Sequence, residues 1–178
     1  MAKVSTAFLQ LVDYAQRSEK NAAGLPQELV AKQMWSGVGF ELGGVRFVAP
    51  MGEISEILGV PQYTQVPGVQ TWVKGVANVR GRLLPVLDLL SFFKKTVKQI
   101  KTRRLLVVDH GEVYSGLIVD EVLGMQHFAT DSYTEDVTEL VDVELPYVSG
   151  GYEKEGETWI VFSFFRLAND PEFMNVAS

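Results

Sequence analysis

The chain of 178 residues carries 16 Lys and Arg against 22 Asp and Glu, a formal net charge of -6, and has no cysteine. The length suffices for one substantial core or two small ones. The acidic balance argues against general nucleic-acid binding, which works by neutralising phosphates, and the missing thiols exclude a disulfide framework or a thiolate metal site. The opening MAKVSTAFLQLVDYAQR has no basic region followed by an apolar stretch and a small-residue cleavage site, so no secretory signal is expected. No apolar run approaches the roughly 20 residues of a membrane helix; the best, Leu83 to Phe93, is broken by Pro85 and Asp88.

Val4, Ala7, Phe8, Leu11, Val12 and Ala15 recur at i, i+3, i+4 and predict an amphipathic helix, with Asp13, Gln16 and Arg17 off the stripe. Gly24-Leu25-Pro26 interrupts it, and residues 27–34 add a second helical turn or two. This arm packs on the body of its own chain or docks a partner in the manner of a helix in a groove; we expect the former. From Trp35 the period becomes two: Ser36 to Leu42 and Val45 to Ala49 form a hairpin about Gly43-Gly44, ended by Pro50. Residues 51–58 fit a helical turn or a strand equally, and 59–72, punctuated by Pro61, Pro67 and Gly68, read as a loop.

The stretch Trp72 to Leu90 reads as a second hairpin, with apolar runs Gly75–Arg80 and Leu83–Leu87 reversing at Gly81 and both Arg80 and Arg82 at the tip. Pro85 cannot donate to a ladder and predicts an edge strand or a bulge, and Asp88 is placed to cap a helix from Leu89 to Lys95. Lys94, Lys95, Lys98, Lys101, Arg103 and Arg104 then form a basic stretch, read as a solvated linker between two lobes, with contact to an acidic partner or anionic surface as the alternative. A third hairpin, Arg104–Asp109 with Val113–Val119, turns at His110-Gly111-Glu112 and is closed by Asp120 to Gly124. Residues 131–144 are acidic and read as surface. A last hairpin, Tyr147–Tyr152 with Thr158–Phe162, precedes a helix that Ser163 caps, running through Asn169. Short strands with glycine turns argue for small antiparallel barrels or a sandwich.

Reaction chemistry is missing from this pattern. His110 and His127, the two histidines, have no metal-binding partner at helical spacing. Asp120-Glu121 are adjacent on extended chain and point to opposite faces, and Gly37-x-Gly39-x-x-x-Gly43 runs into a turn rather than opening a helix, so it is no dinucleotide fingerprint. The sequence therefore reads as a binding protein, not an enzyme, with no cofactor and no metal.

The run G-V-x-N-V-R-G-x-x-x-P-V-x-D-L at 75–89 resembles the signature of the CheW-like family of chemosensory coupling proteins, with Gly75, Asn78, Arg80, Gly81, Pro85 and Asp88 in register. G-L-I-V-D-E-V at 116–122 is similar to the family's second recurring stretch. The resemblance covers about residues 36–170 and implies a mainly β fold: two SH3-like five-stranded β-barrels packed together, here as residues 35–178 with a linker near 94–103 and strand exchange between the lobes; the N-terminal helical extension 1–34 is a departure that the resemblance does not explain. It also implies a scaffold that joins the cytoplasmic tip of a chemoreceptor to the regulatory domain of a CheA-type histidine kinase, in cytoplasmic arrays at the membrane, without nucleic acid or membrane insertion. Arg80, Asn78, Gly116 and Val122 match receptor-contact positions; Ile54, Glu56, Ile57 and Gly75 match kinase-contact positions. The lead-in Pro67-Gly68-Val69-x-x-Trp72-Val73-Lys74-Gly75 looks most like the PilI-type couplers of type IV pilus twitching systems. Coupling in flagellar chemotaxis and a stand-alone SH3-like peptide-binding module remain alternatives.

Overall fold

The computed structural model describes residues 33–97, 101–111, 113–137 and 144–177, together with Gln10, Tyr14 and Arg17. The chain divides into two compact units, 1–32 and 33–178. In the first, Gln10, Tyr14 and Arg17 are helical and exposed, while the expected apolar stripe from Val4 to Ala15 lies outside the described residues.

In the second unit the strands are β1 (Met34–Leu42), β2 (Val45–Pro50), β3 (Glu56–Gly59), β4 (Val73–Val79), β5 (Arg82–Asp88), β6 (Arg104–His110), β7 (Val113–Val119), β8 (Glu121–Ala129), β9 (Tyr133–Thr134), β10 (Val148–Lys154) and β11 (Glu157–Phe162). Short helices are α1 (Leu89–Phe92), α2 (Phe164–Ala168) and α3 (Pro171–Met174). The middle of the chain makes one sheet in the order β3-β6-β7-β5-β4; both ends make the other, β8-β1-β2-β11-β10-β9. The fold is mainly β with two curled sheets, as expected, and the two-residue β9 is the sixth strand of the larger one.

Each sheet buries both faces, and side-chain alternation sorts its apolar residues between two cores. Along β6, Leu105 and Val107 face the interior of the smaller sheet with Ala77, Leu84, Val86 and Ile118, whereas Leu106 and Val108 join the largest core between the sheets. Along β11, Trp159 and Val161 pack inside the larger sheet with Val48, Phe128 and Tyr152, while Ile160 and Phe162 join the shared core. These strands therefore read as unbroken apolar runs.

Four expectations need correction. The basic stretch at 94–103 connects β5 to β6 of one sheet, so it is not a linker between lobes. Lys95 from that stretch pairs with the fully buried Glu144, which removes Glu144 from the expected acidic surface. Residues 121–129 form a nine-residue strand where only a closing turn was read; β8 lies at a sheet edge, most of its side chains are not buried, and Gly124 at φ 74 breaks its alternation. Met34 opens β1 instead of ending a helix. Pro85 sits in an interior strand, but pairing of β5 with β7 starts one residue later at Val86, so that side of the strand is unpaired at the proline.

Buried polar groups hold the seam. Asp88 caps α1 by accepting from the Ser91 amide at 3.1 Å, and its other carboxylate oxygen lies 2.8 Å from Arg103 Nη1. Arg103 Nε lies 3.7 Å from Asp120 Oδ1, and Asp120 Oδ2 accepts from the Gly43 amide at 2.8 Å. One guanidinium thus ties the end of β5, the β7–β8 crossing and the β1–β2 turn. Glu53, also buried, accepts from Ser163 Oγ at 3.0 Å and from the Phe164 amide at 2.6 Å, placing a carboxylate at the N-terminus of α2.

Candidate partner-binding surface

The hairpin β4–β5 closes with a two-residue turn whose central residues, Arg80 and Gly81, have φ of 52 and 82. Such a turn matches strand twist, and Asn78 Oδ1 braces it by accepting from the Gly81 amide at 2.9 Å. A left-handed arginine costs about 1–2 kcal/mol relative to glycine. Its side chain is exposed and reaches Glu56 on β3, with Nη1 2.8 Å from Oε1. An ion pair so exposed returns at most about 1 kcal/mol. Fold stability therefore does not account for an arginine here; Glu155 takes the same backbone conformation, at φ 55, in the β10–β11 turn, so what sets Arg80 apart is its presented charge.

Around that pair, Arg82 lies over the Tyr114 ring at 3.8 Å and 3.4 Å from Asp109. Glu56 opposes Val107 in the β3–β6 ladder, so Asp109, two residues on, points to the same face. Leu83 and Ile57, 71 % and 44 % exposed, follow Arg82 and Glu56 along their strands and so project from the opposite face. The result is a presented patch of alternating charge around the hairpin tip, flanked by Tyr114 and suited to a protein partner.

Of the eight candidate residues, Asn78, Arg80, Glu56 and Ile57 fall on or beside this patch. The others lie elsewhere. Gly75 is buried at φ 147, and a Cβ there would stand 2.1 Å from the Thr64 carbonyl oxygen. Gly116 is buried with the Leu105 side chain occupying the place of its missing Cβ, 2.7 Å away. Ile54 and Val122 are half-buried against the shared core. The expected receptor and kinase sets meet at one point, where Arg80 pairs with Glu56. Arg82, Asp109 and Tyr114 were not singled out as binding residues; Arg82, the second arginine at the tip, was the available signal.

Among the described residues the titratable groups do not assemble into acid–base machinery. The His110 ring stacks on Phe165 with centroids 3.8 Å apart. His127 Nδ1 lies 2.7 Å from Ser36 Oγ across an exposed strand pair. Burial, followed by its hydrogen bond to Asp170, pushes the Tyr147 hydroxyl up to about 12, so it stays a donor at neutral pH. Burial and then Tyr133 raise Tyr152. Among the described residues there is no group of three or more potential metal ligands and no helix long and apolar enough to cross a membrane.

The CheW-like domain profile matches residues 36–172. The chain is 52 % identical over 178 residues to Protein PilI of Pseudomonas aeruginosa, covering 99 % of both chains. It is 35 % identical over 114 residues to the chemotaxis protein CheW of Helicobacter pylori, covering 64 % of this chain and 68 % of that one. The crystal structure of the scaffolding protein TtCheW from Thermoanaerobacter tengcongensis shares the fold, with a TM-score of 0.67 at 20 % identity over 79 % of this chain and 96 % of that one. A profile spanning most of the chain and a full-length relative above half identity place it without ambiguity: the chain belongs to the CheW-like family of non-catalytic scaffold proteins.

Proposed function

We propose that this chain couples the cytoplasmic tip of a chemoreceptor to the regulatory domain of a CheA-type histidine kinase, in a system controlling type IV pilus twitching motility. The observation that carries the coupling role is the exposed Arg80 presented at the hairpin tip beside Glu56 and Arg82. Full-length similarity to Protein PilI supports the pilus system. Residues 35–178 act as the coupling domain and 1–34 as an extension. Two partners that bind one adaptor bias each other by linkage, and repeated weak contacts add up in an array on the cytoplasmic side of the membrane.

A charge-swap series tests the role of the pair. Arg80→Asp is expected to weaken receptor-tip binding by more than about tenfold, as loss of an interfacial charged contact does, while the melting temperature moves by only about 2 °C. Glu56→Lys is expected to weaken binding of the kinase regulatory domain. The double variant Arg80→Asp/Glu56→Lys rebuilds the internal ion pair and is expected to leave receptor binding lost. Full recovery in the double variant would mean that Arg80 serves only Glu56.

A further inference from the structure

The basic stretch between β5 and β6 is not used by the coupling surface, and it borders a cavity. Lys101, Arg103 and Arg104, with Lys74 from β4, line an open space of about 640 Å³ whose remaining wall is Gly59, Val60, Tyr63, Asp88, Val97 and Ile118. That volume lies in the range of small-molecule sites. Four cations face one carboxylate in a chain whose net charge is -6, a local reversal of sign. Asp88 is already engaged, with one oxygen on the Ser91 amide and the other beside Arg103 Nη1.

Three of the cations are held in place. Lys74 Nζ donates to Thr71 O and Ser91 Oγ, each at 3.0 Å. Arg104 Nη1 donates to the carbonyls of Thr102 and Arg103 at 3.2 and 3.0 Å. Arg103 is fixed between Asp88 and Asp120 with its side chain 11 % exposed, and its buried Nη2 has no hydrogen-bond partner. Arg103 therefore forms part of the wall, while Lys74, Lys101 and Arg104 bring their charge to the open space. Fixed cations lose little entropy on binding, and mixed Arg and Lys donors suit the several oxygens of a phosphate.

We propose that this cavity binds a multiply charged phosphate, carried by a small metabolite or presented as a lipid headgroup, with Lys74, Lys101 and Arg104 as its donors. The Tyr63 ring at the wall offers an apolar face to the rest of such a molecule. The site shares no residue with the patch around Arg80, so it stands or falls apart from the coupling role.

Titration calorimetry of the full chain with inorganic pyrophosphate and with ADP, in parallel with flotation on phosphatidylcholine vesicles with and without phosphatidylinositol bisphosphate, tests this. Saturable binding is expected in low salt, weakened at least about tenfold by Lys101→Glu with Arg104→Glu and to a lesser degree by Lys101→Glu alone. Lys94→Glu, the same charge change outside the cavity, is expected to leave it unchanged. Binding of the soluble phosphates assigns a metabolite; capture by phosphoinositide vesicles alone assigns a headgroup. Absence of binding in every arm, or equal weakening by Lys94→Glu, would overturn the proposal.

Discussion

Arg103→Ala is expected to cost about 3–5 kcal/mol of stability, the range for breaking a buried ion pair from one side. Asp88 and Asp120 are 1 % and 5 % exposed, and the arginine is the cation recorded between them. Its removal leaves two carboxylates buried near one another, while the backbone amides of Ser91 and Gly43 satisfy only part of each. Because the triad ties both sheets, the loss is expected to appear as a single shifted unfolding transition in urea. The neutral set Asp88→Asn/Arg103→Met/Asp120→Asn keeps both amide acceptors, removes every charge, and is expected to recover most of the loss. A cost below about 1 kcal/mol for Arg103→Ala would mean that water reaches the carboxylates as it reaches surface pairs.

Gly75→Ala is expected to be comparably damaging, at about 3 kcal/mol or more, by combining two mechanisms that each produce large single-site effects. The backbone φ of 147 disfavours a side chain, and the new Cβ would stand 2.1 Å from Thr64 O, 2.7 Å from its carbonyl carbon and 3.1 Å from Gln65 Cα. These are backbone atoms that no rotamer change can clear. The loop must lift from β4, breaking the paired bonds between Thr64 and Val76, each 2.9 Å. Loss of exchange protection at the Thr64 and Val76 amides reports this directly. Gly81→Ala is the control: its φ of 82 carries the backbone penalty but nothing lies within 4 Å of its Cβ, so about 1–2 kcal/mol is expected. Equal costs for the two variants would contradict the close-approach account.

What was legible in the chain was local. Gly43-Gly44, Gly81, Gly111 and Gly156 all have positive φ and lie in the four hairpin turns read from the sequence. The caps at Asp88 and Ser163 were legible because capping geometry involves only the next three residues. β8 escaped because an edge strand with mostly unburied side chains lacks the apolar alternation by which strands are recognised. The site was half legible. Asn78 and Arg80 belong to one turn, but Arg80 meets Glu56 across 24 positions and Arg82 meets Asp109 across 27. Glu53 and its helix end are 111 positions apart. Pairings at such separations follow from topology, which the sequence pattern does not encode residue by residue. Gly75 and Gly116 were drawn into the binding set by their place in matched stretches, yet their missing side chains serve the approach of Thr64 and Leu105.

The central claim is that one copy of this chain holds both partners at once. Co-sedimentation of the isolated kinase regulatory domain with a vesicle-tethered receptor tip, with and without the chain, measures this directly. The kinase domain is expected to sediment only when the chain is present, and Arg80→Asp is expected to return it to the supernatant while the variant stays folded. Equal sedimentation without the chain, or competition between kinase domain and receptor tip for it, would contradict the account.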